Sequence, residues 1–296
     1  MKKIKSEKGF DCIVTIVLIL FSLVTVVPLL YILVNSISSP ELVYFGEVFL
    51  IPKEVTLEAY ERVLMDDEII KGYVNTILYT LLGTVLSLIL TFTAAYPLSR
   101  KDIAGKNFLT LLYTITMFVN GGLIPTYLVV EKLHMTNTIW GFIIPGCLSV
   151  WNIIVVKTYM QSTIPLEIQE AAMIDGSSDM KLFLRIILPL CKPIVAVMVL
   201  FYAVGYWNSY FNALIYITDE ALYPLQMVLR KILISSDMSN MMSGVGGAME
   251  SIAQQSMLSE SLKYATIVLA SAPILFLYPF AQKYFEKGVM IGSVKG

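Results

Sequence analysis

Charged side chains are absent from six stretches of the chain, residues 12–34, 72–99, 107–130, 133–156, 193–218 and 264–282. At a rise of about 1.5 Å per residue, each is long enough to cross the roughly 30 Å of hydrocarbon in a bilayer. A backbone in that medium must satisfy its own hydrogen bonds, which a helix does within one segment. The pattern predicts an all-α membrane protein with six transmembrane helices. Lys2, Lys3, Lys5 and Lys8 precede the first window, but its apolar run is too long for a signal peptide and no small-residue cleavage pattern follows. It reads as a retained anchor.

Composition agrees. Of 296 residues, 57% are hydrophobic and 15% charged, and the mean hydropathy is +0.74, too apolar for a soluble domain of this size. A net charge of −1 offers no footprint for nucleic acid. Cys12, Cys147 and Cys191 lie far apart, without the paired spacing of a disulfide framework or zinc site. Placing the N-terminus in the cytoplasm puts fourteen of the 21 Lys and Arg residues on that side, most of them close to span ends. Six spans then return the C-terminus to the same side. The expected order is a cytoplasmic tail (1–11), the anchor helix (12–34), an outer loop (35–71), a five-helix core (72–285) and a cytoplasmic tail (286–296). The core carries a cytoplasmic loop at 163–190 and an outer loop at 219–262.

A proton-driven carrier usually needs a titratable group inside the membrane. The windows supply only His134, beside Lys132 near an outer span end, where an interfacial histidine is the plainer reading. A sodium-coupled carrier could use backbone carbonyls at broken helices and is weakened rather than excluded. The spans do carry neutral polar stripes. Thr76, Thr80, Thr84, Ser87 and Thr91 fall on one helical face with Gly83 beside them, as expected for helix packing by small residues. Gly141, Pro145, Ser149 and Asn152 repeat the rhythm in the fourth window. The fifth carries Gly205, Ser209 (or Asn208), Asn212 and Tyr216 in a similar rhythm, and its "YWNSYFNALIY" concentrates Trp207, Asn208, Ser209, Asn212 and Tyr216 near an outer face. Neutral hydrogen-bonding groups among flat rings suit a sugar's hydroxyl edge and C–H faces. An aromatic belt at the interface explains the same rings. Trp207, Asn208, Asn212, Tyr216, Asn152 and Ser149 are the candidate substrate path.

In the first outer loop, "TLEAYERVL" places Leu57, Tyr60, Val63 and Leu64 on one face of a short surface helix. In the second, "PLQMVLRKIL" is amphipathic, and a Met/Ser/Gly-rich stretch at 238–257 reads as mobile. Neither is large enough for a receptor domain, so capture of solute outside falls to a separate protein.

One polar insert interrupts the apolar core, "EAAMIDGSSDMKLFLRIILPL" at 170–190. Pro165 suits a first helical turn with Thr163 as its cap, and Asp175-Gly176 supplies a left-handed stop. Ser177 is placed to cap a second helix that meets Pro189 and Pro193. Two short helices joined at a glycine are expected. Ala171 and Ala172 would let another surface approach closely, while Glu167, Glu170 and Asp175 would orient it. A solvated loop is the alternative.

The spacing of Glu170-Ala171-Ala172, Gly176, Ile186, Leu188 and Pro189 resembles the EAA loop of binding-protein-dependent ABC importer permeases. "NTILYTLLGTVLSLILTFTAAYPLSR", "GGLIPTYLVVEKL", "YWNSYFNALIY" and "KYFEKGVMIGSVKG" are similar to the carbohydrate-uptake branch, the maltose-type inner subunit, and most to oligosaccharide permeases of Gram-positive bacteria. The resemblance implies the type I ABC importer transmembrane fold in a bacterial cell membrane. It also implies that Glu170, Ala171, Ala172, Asp175 and Gly176 dock on a cytoplasmic ATPase dimer, with the Lys295-Gly296 tail reaching the same partner. A second, homologous permease would complete the pore and an extracytoplasmic solute-binding protein would deliver a sugar or oligosaccharide. No nucleotide-binding loop occurs in this chain. No catalytic residue, cofactor or metal is expected on it. An ion-coupled secondary carrier is the main rival, ahead of a lipid-modifying enzyme or a structural or sensory membrane protein.

Overall fold

The computed structural model describes residues 5–242, 257, 260–277 and 279, and among them every regular element is helical. The first window lies in α1 (Lys5–Ser36), followed by α2 (Pro40–Tyr44) and α3 (Glu58–Met65). The second is α4 (Asp67–Ser99). The third divides into α5 (Lys106–Phe118) and α6 (Leu123–Lys132), and the fourth into α7 (Ile139–Ile143) and α8 (Val150–Thr163). The insert forms α9 (Leu166–Ile174) and α10 (Asp179–Leu182), which passes through a π turn (Phe183–Ile187) into α11 (Leu188–Leu190). The fifth window holds α12 (Lys192–Trp207) and α13 (Phe211–Tyr216), and α14 (Leu225–Met242) and α15 (Glu260–Leu277) follow. The C-terminal tail and residues 243–256 of the Met/Ser/Gly-rich stretch lie outside the described residues, whereas residues 238–242 continue α14 as helix.

Three helices are unbroken and long enough to span, Gly9–Ser36, Asp67–Ser99 and Glu260–Leu277. The other spans are bent pairs, at 112° between α5 and α6, 52° between the α7 segment and α8, and 82° between Asp179–Leu190 and α12. Six crossings result only if each bent pair counts as one. Local chemistry sets the breaks. Gly122 is left-handed (φ +86°) and donates to Asn120 Oδ1 at 2.9 Å, a turn that competes with helix. His134 and Asn137 are also left-handed (φ +54° and +56°), which delays the fourth helix to Ile139. Ser149 then starts α8 by accepting from the Asn152 N–H, so Gly141, Pro145, Ser149 and Asn152 do not share the single face that their spacing predicts.

Contacts divide the chain into two compact units. One draws on the described parts of Met1–Ile70 and Val228–Ala272. There Val34, Val43 and Val48 cluster with Tyr264, and Tyr31 meets the Tyr264 ring edge-on at 5.9 Å. The end of α1 is tied down by Ser36 Oγ to Tyr60 Oη (2.7 Å) and by Ser38, which donates to the Val34 carbonyl (2.7 Å). The buried face of α3 is Ala59 and Val63 with Tyr60 at its edge, whereas Leu57 and Leu64, expected on that face, are exposed. The spanning window of α1 buries none of its residues against the rest of the chain.

The other unit comprises Lys71–Met227 and the described part of Pro273–Gly296. Its centre is the contact of α4 with α12. Ser87 Oγ lies 3.1 Å from Tyr206 Oη, and Thr91 Oγ1 lies 2.6 Å from Tyr202 Oη. As one number rises by four the other falls by four, so the helices run antiparallel with one hydroxyl pair per turn. The predicted Thr/Ser stripe is therefore a packing face; hydrogen bonding joins small size as its reason at Ser87 and Thr91, whereas the Thr80 and Thr84 hydroxyls are buried without a partner. Gly83 lies under the Tyr206 ring, where an added Cβ would stand 2.6 Å from ring carbons. That ring cannot swing aside freely, because its hydroxyl also donates to the Ile143 carbonyl (3.3 Å) and Phe142 stands 6.4 Å away. At the far end of α4, Asn75 donates to the Ala221 and Tyr223 carbonyls, and Thr76 accepts from the Leu225 N–H at 2.8 Å.

Gly83→Ala is expected to lower stability by about 1–3 kcal/mol through overpacking. Gly205→Ala, with nothing within 4 Å of the new methyl, should leave it unchanged. Thermal unfolding of the detergent-solubilised protein distinguishes the two. Tyr202→Phe, which strips Thr91 of its partner, should cost roughly 1 kcal/mol in the same assay.

Candidate functional site

The polar insert folds by chain-local rules. Pro165, with φ −60° and ψ 142°, is the residue before α9 rather than its first turn, and no side chain caps it, so Thr163 does not play the predicted role. Three backbone hydrogen bonds close the helix. The Asp175 N–H bonds to the Ala171 carbonyl, Gly176 to Met173 and Ser177 to Ala172, each at 3.0 Å. This is a Schellman ending, with Gly176 left-handed at φ +75° as expected from Asp175-Gly176. The cap of the next helix is Ser178, extended at φ −67° and ψ 155°, whose Oγ accepts from the Lys181 N–H at 3.4 Å. The prediction of Ser177 was one residue early.

Glu170, Ala171, Asp175 and Gly176 are exposed on this unit. Ala172 is buried within the core cluster and supports the helix from beneath. Ile174 is 86% exposed and Ile168 and Met180 are exposed with it. Ile168 and Ile174 on α9 and Met180 on α10 are thus large apolar side chains that this unit leaves uncovered. Residue-type counting overlooked them because a run such as "MIDG" has no apolar periodicity.

The other residue that the sequence concealed is Arg100, which reads there as one more basic residue at a span end. It follows α4 directly and is only 6% exposed. Its guanidinium forks onto Asp102 (Nε to Oδ1, 2.8 Å; Nη2 to Oδ2, 2.5 Å), donates to Tyr96 Oη at 3.1 Å, and ion-pairs with Asp179. Met173 Sδ of α9 lies 3.8 Å from Nη2. The Tyr96 ring stacks on Phe183 of the π turn with centroids 4.8 Å apart. The Asp102 carboxylate, with that of Asp179, holds the Arg100 pKa up, and the Arg100 hydrogen bond pushes Asp102 below the usual carboxylate range. Both stay charged at physiological pH, and the Asp102 contribution fades only as acid titrates that depressed carboxylate. Beside this clamp, a recess of about 580 Å³ opens between Arg100, Lys101, Lys106 and Glu167.

The candidate substrate-path residues are dispersed. Asn212 donates to the Phe142 carbonyl (3.2 Å) at the end of α7, and the Tyr216 ring stacks on Tyr127 with centroids 6.1 Å apart. These two sit together against α7, where Gly141 lets the Met135 carbonyl approach closely. Trp207 instead meets Tyr73 at 6.3 Å, and Asn208 bonds back to the Val204 carbonyl of its own helix. Ser149 caps α8 and Asn152 is buried in its first turn. Among the described residues, no group of three or more His, Cys, Asp or Glu could hold a metal.

No protein-family model matches the chain. It is 40% identical to Protein LplC of Bacillus subtilis over 296 residues, covering 100% of this chain and 98% of the relative. It is 39% identical over 288 residues to the polygalacturonan/rhamnogalacturonan transport system permease protein YtcP of the same organism, covering 97% and 98%. A solved bacterial ABC transporter involved in the import of the acidic polysaccharide alginate contains a chain that superposes with a TM-score of 0.85 at 32% identity, covering 96% of this chain and 99% of that one. With apolar helices, an EAA-spaced insert and matches along almost its whole length, the chain belongs to the family of integral-membrane permease subunits of sugar-importing ABC transporters.

Proposed function

We propose that this chain is one of two permease subunits through which ATP hydrolysis drives an oligosaccharide inward across the bacterial plasma membrane. A cytoplasmic ATPase dimer docks on α9, with Glu170, Ala171, Asp175 and Gly176 at the contact, Ile174 as its apolar anchor and Ala172 packed behind. A solute-binding protein delivers sugar from outside, and a homologous second permease completes the pore. Both termini and the insert face the cytoplasm, in line with the Lys/Arg asymmetry. The observation that carries the reading is the insert itself: a two-turn helix with a rigid glycine ending that exposes Ile174 and the Glu170 carboxylate. A short helix gains little from its own propensity, and docking would supply what it lacks. ATP-driven closure of the dimer would push this stiff element and rock α8 and α12 between inward-facing and outward-facing arrangements.

Two related transporters carry uronic-acid polymers in their names, and others, such as the B. subtilis melibiose/raffinose/stachyose permease MelC, carry neutral sugars. Uptake assays in proteoliposomes containing the full transporter, run with oligogalacturonides, alginate oligosaccharides and raffinose, define the substrate class. The candidate path at Asn212 and Tyr216 offers neutral amide, hydroxyl and ring contacts, so at least one of these sugars should be taken up in an ATP-dependent manner. Uptake that persists without ATP and collapses with an ionophore would instead establish an ion-coupled carrier.

Two substitutions test the docking helix. Gly176→Pro removes the left-handed stop, at a local cost of roughly 3 kcal/mol. Glu170→Lys reverses a contact charge and is expected to cost ~2–5 kcal/mol if that carboxylate is paired across the interface. Both should abolish ATP-dependent uptake while the subunit remains at its normal level in the membrane, read by immunoblot and transport on the same vesicles. Normal transport by either would remove the docking helix from the mechanism.

A further inference from the structure

From the clamp around Arg100 we infer that this arginine is a positioning residue that latches the coupling insert to α4, so that movement of the insert carries α4 with it. The inference rests on the ATPase-coupling reading and adds a second path by which motion enters the membrane. The insert is already continuous with α12 along the chain, through α10, the π turn and α11. Arg100 gives it a non-covalent attachment to a helix that is 79 residues away in sequence, through Asp179 in the first turn of α10. The same guanidinium touches Met173 in α9 and Tyr96 in α4, so one side chain meets three elements.

Several features mark the arrangement as a built one. A long cation seldom gives up 94% of its surface without specific partners, and here it has a bidentate carboxylate, a second carboxylate and a phenol. Asp102 fixes the fork in place from the loop after α4, and Lys106 Nζ donates to the Arg100 carbonyl at 2.8 Å, which steadies the backbone beneath it. The stack of Tyr96 on Phe183 of the π turn orients the phenol that accepts from Arg100. Further into α4, the Thr91–Tyr202 and Ser87–Tyr206 pairs tie it to α12. A push on α9 is therefore delivered to α4 and α12 together. Without the Arg100–Asp179 pair, the insert could pivot about Cys191, where Asp179–Leu190 meets α12 at 82°, and leave α4 behind.

The test uses the assembled transporter in lipid nanodiscs, with its second permease and ATPase. Hydrogen–deuterium exchange is compared between the ADP-bound and the vanadate-trapped ATP states. In the wild type, exchange should change with nucleotide both at residues 166–177 and at residues 96–105. In Arg100→Gln and Asp179→Asn the change at 166–177 should remain and that at 96–105 should be lost, and Asp179→Glu, which keeps the charge, should restore it. An unaltered response at 96–105 in Asp179→Asn would overturn the latch. If Arg100→Gln fails to reach the membrane, Asp179→Asn decides alone, since that side chain is 76% exposed and its substitution leaves the core intact. A wild type with no nucleotide response at 166–177 would instead remove the coupling reading beneath it.

Discussion

A polar group taken out of water must find a partner or cost several kcal/mol, and in a chain this apolar that constraint fixes geometry more sharply than hydrocarbon contacts do. Leucine against leucine and leucine against lipid are nearly equivalent, so apolar surface alone says little about how two membrane helices align. Hydroxyls do. Ser87 and Thr91 meet Tyr206 and Tyr202 in one register only, and Gly83 provides the space in which the Tyr206 ring lies. The same requirement joins Asn212 to the carbonyl of Phe142 in the last turn of α7. It brings Arg100 among Asp102, Asp179 and Tyr96 at the end of α4. Each site of alignment is a place where a polar group has been satisfied.

The apolar windows and the insert could be read from the chain because each depends on residues adjacent in sequence. Charge-free runs mark helices, and Asp175-Gly176 marks a stop whatever surrounds it. The Thr/Ser stripe was visible for the same reason. Breaks within the windows were hidden. Hydropathy does not distinguish Gly122 or Ser149 from their neighbours, yet Asn120 and Ser149 bond to nearby N–H groups and end or begin helices inside apolar sequence. The cap of α10 is Ser178 and not Ser177, because Ser177 still belongs to the ending of α9, where its N–H bonds to the Ala172 carbonyl, and the next helix starts one residue later. At the candidate site, Glu170 and its neighbours stood out by spacing. Arg100 did not, because its meaning depends on Asp179 and on burial, neither of which is local. Ile174 was equally silent, since exposure belongs to the folded chain.

Together these contacts describe a permease in which the parts nearest the polar insert are firmly tied. The Schellman ending fixes the length of α9, the π turn and α11 carry it into α12, and the Arg100 cluster joins it to α4. The candidate substrate-path residues are less unified, with Asn212 and Tyr216 seated on α7 and Trp207 turned to Tyr73.

The most direct test replaces Ile174 with a photo-crosslinking amino acid in the complete transporter and identifies its partners by mass spectrometry, with and without ATP. A crosslink to an ABC ATPase in both conditions is the result expected if α9 is where force enters the membrane. Crosslinks to lipid alone, or none, would contradict it.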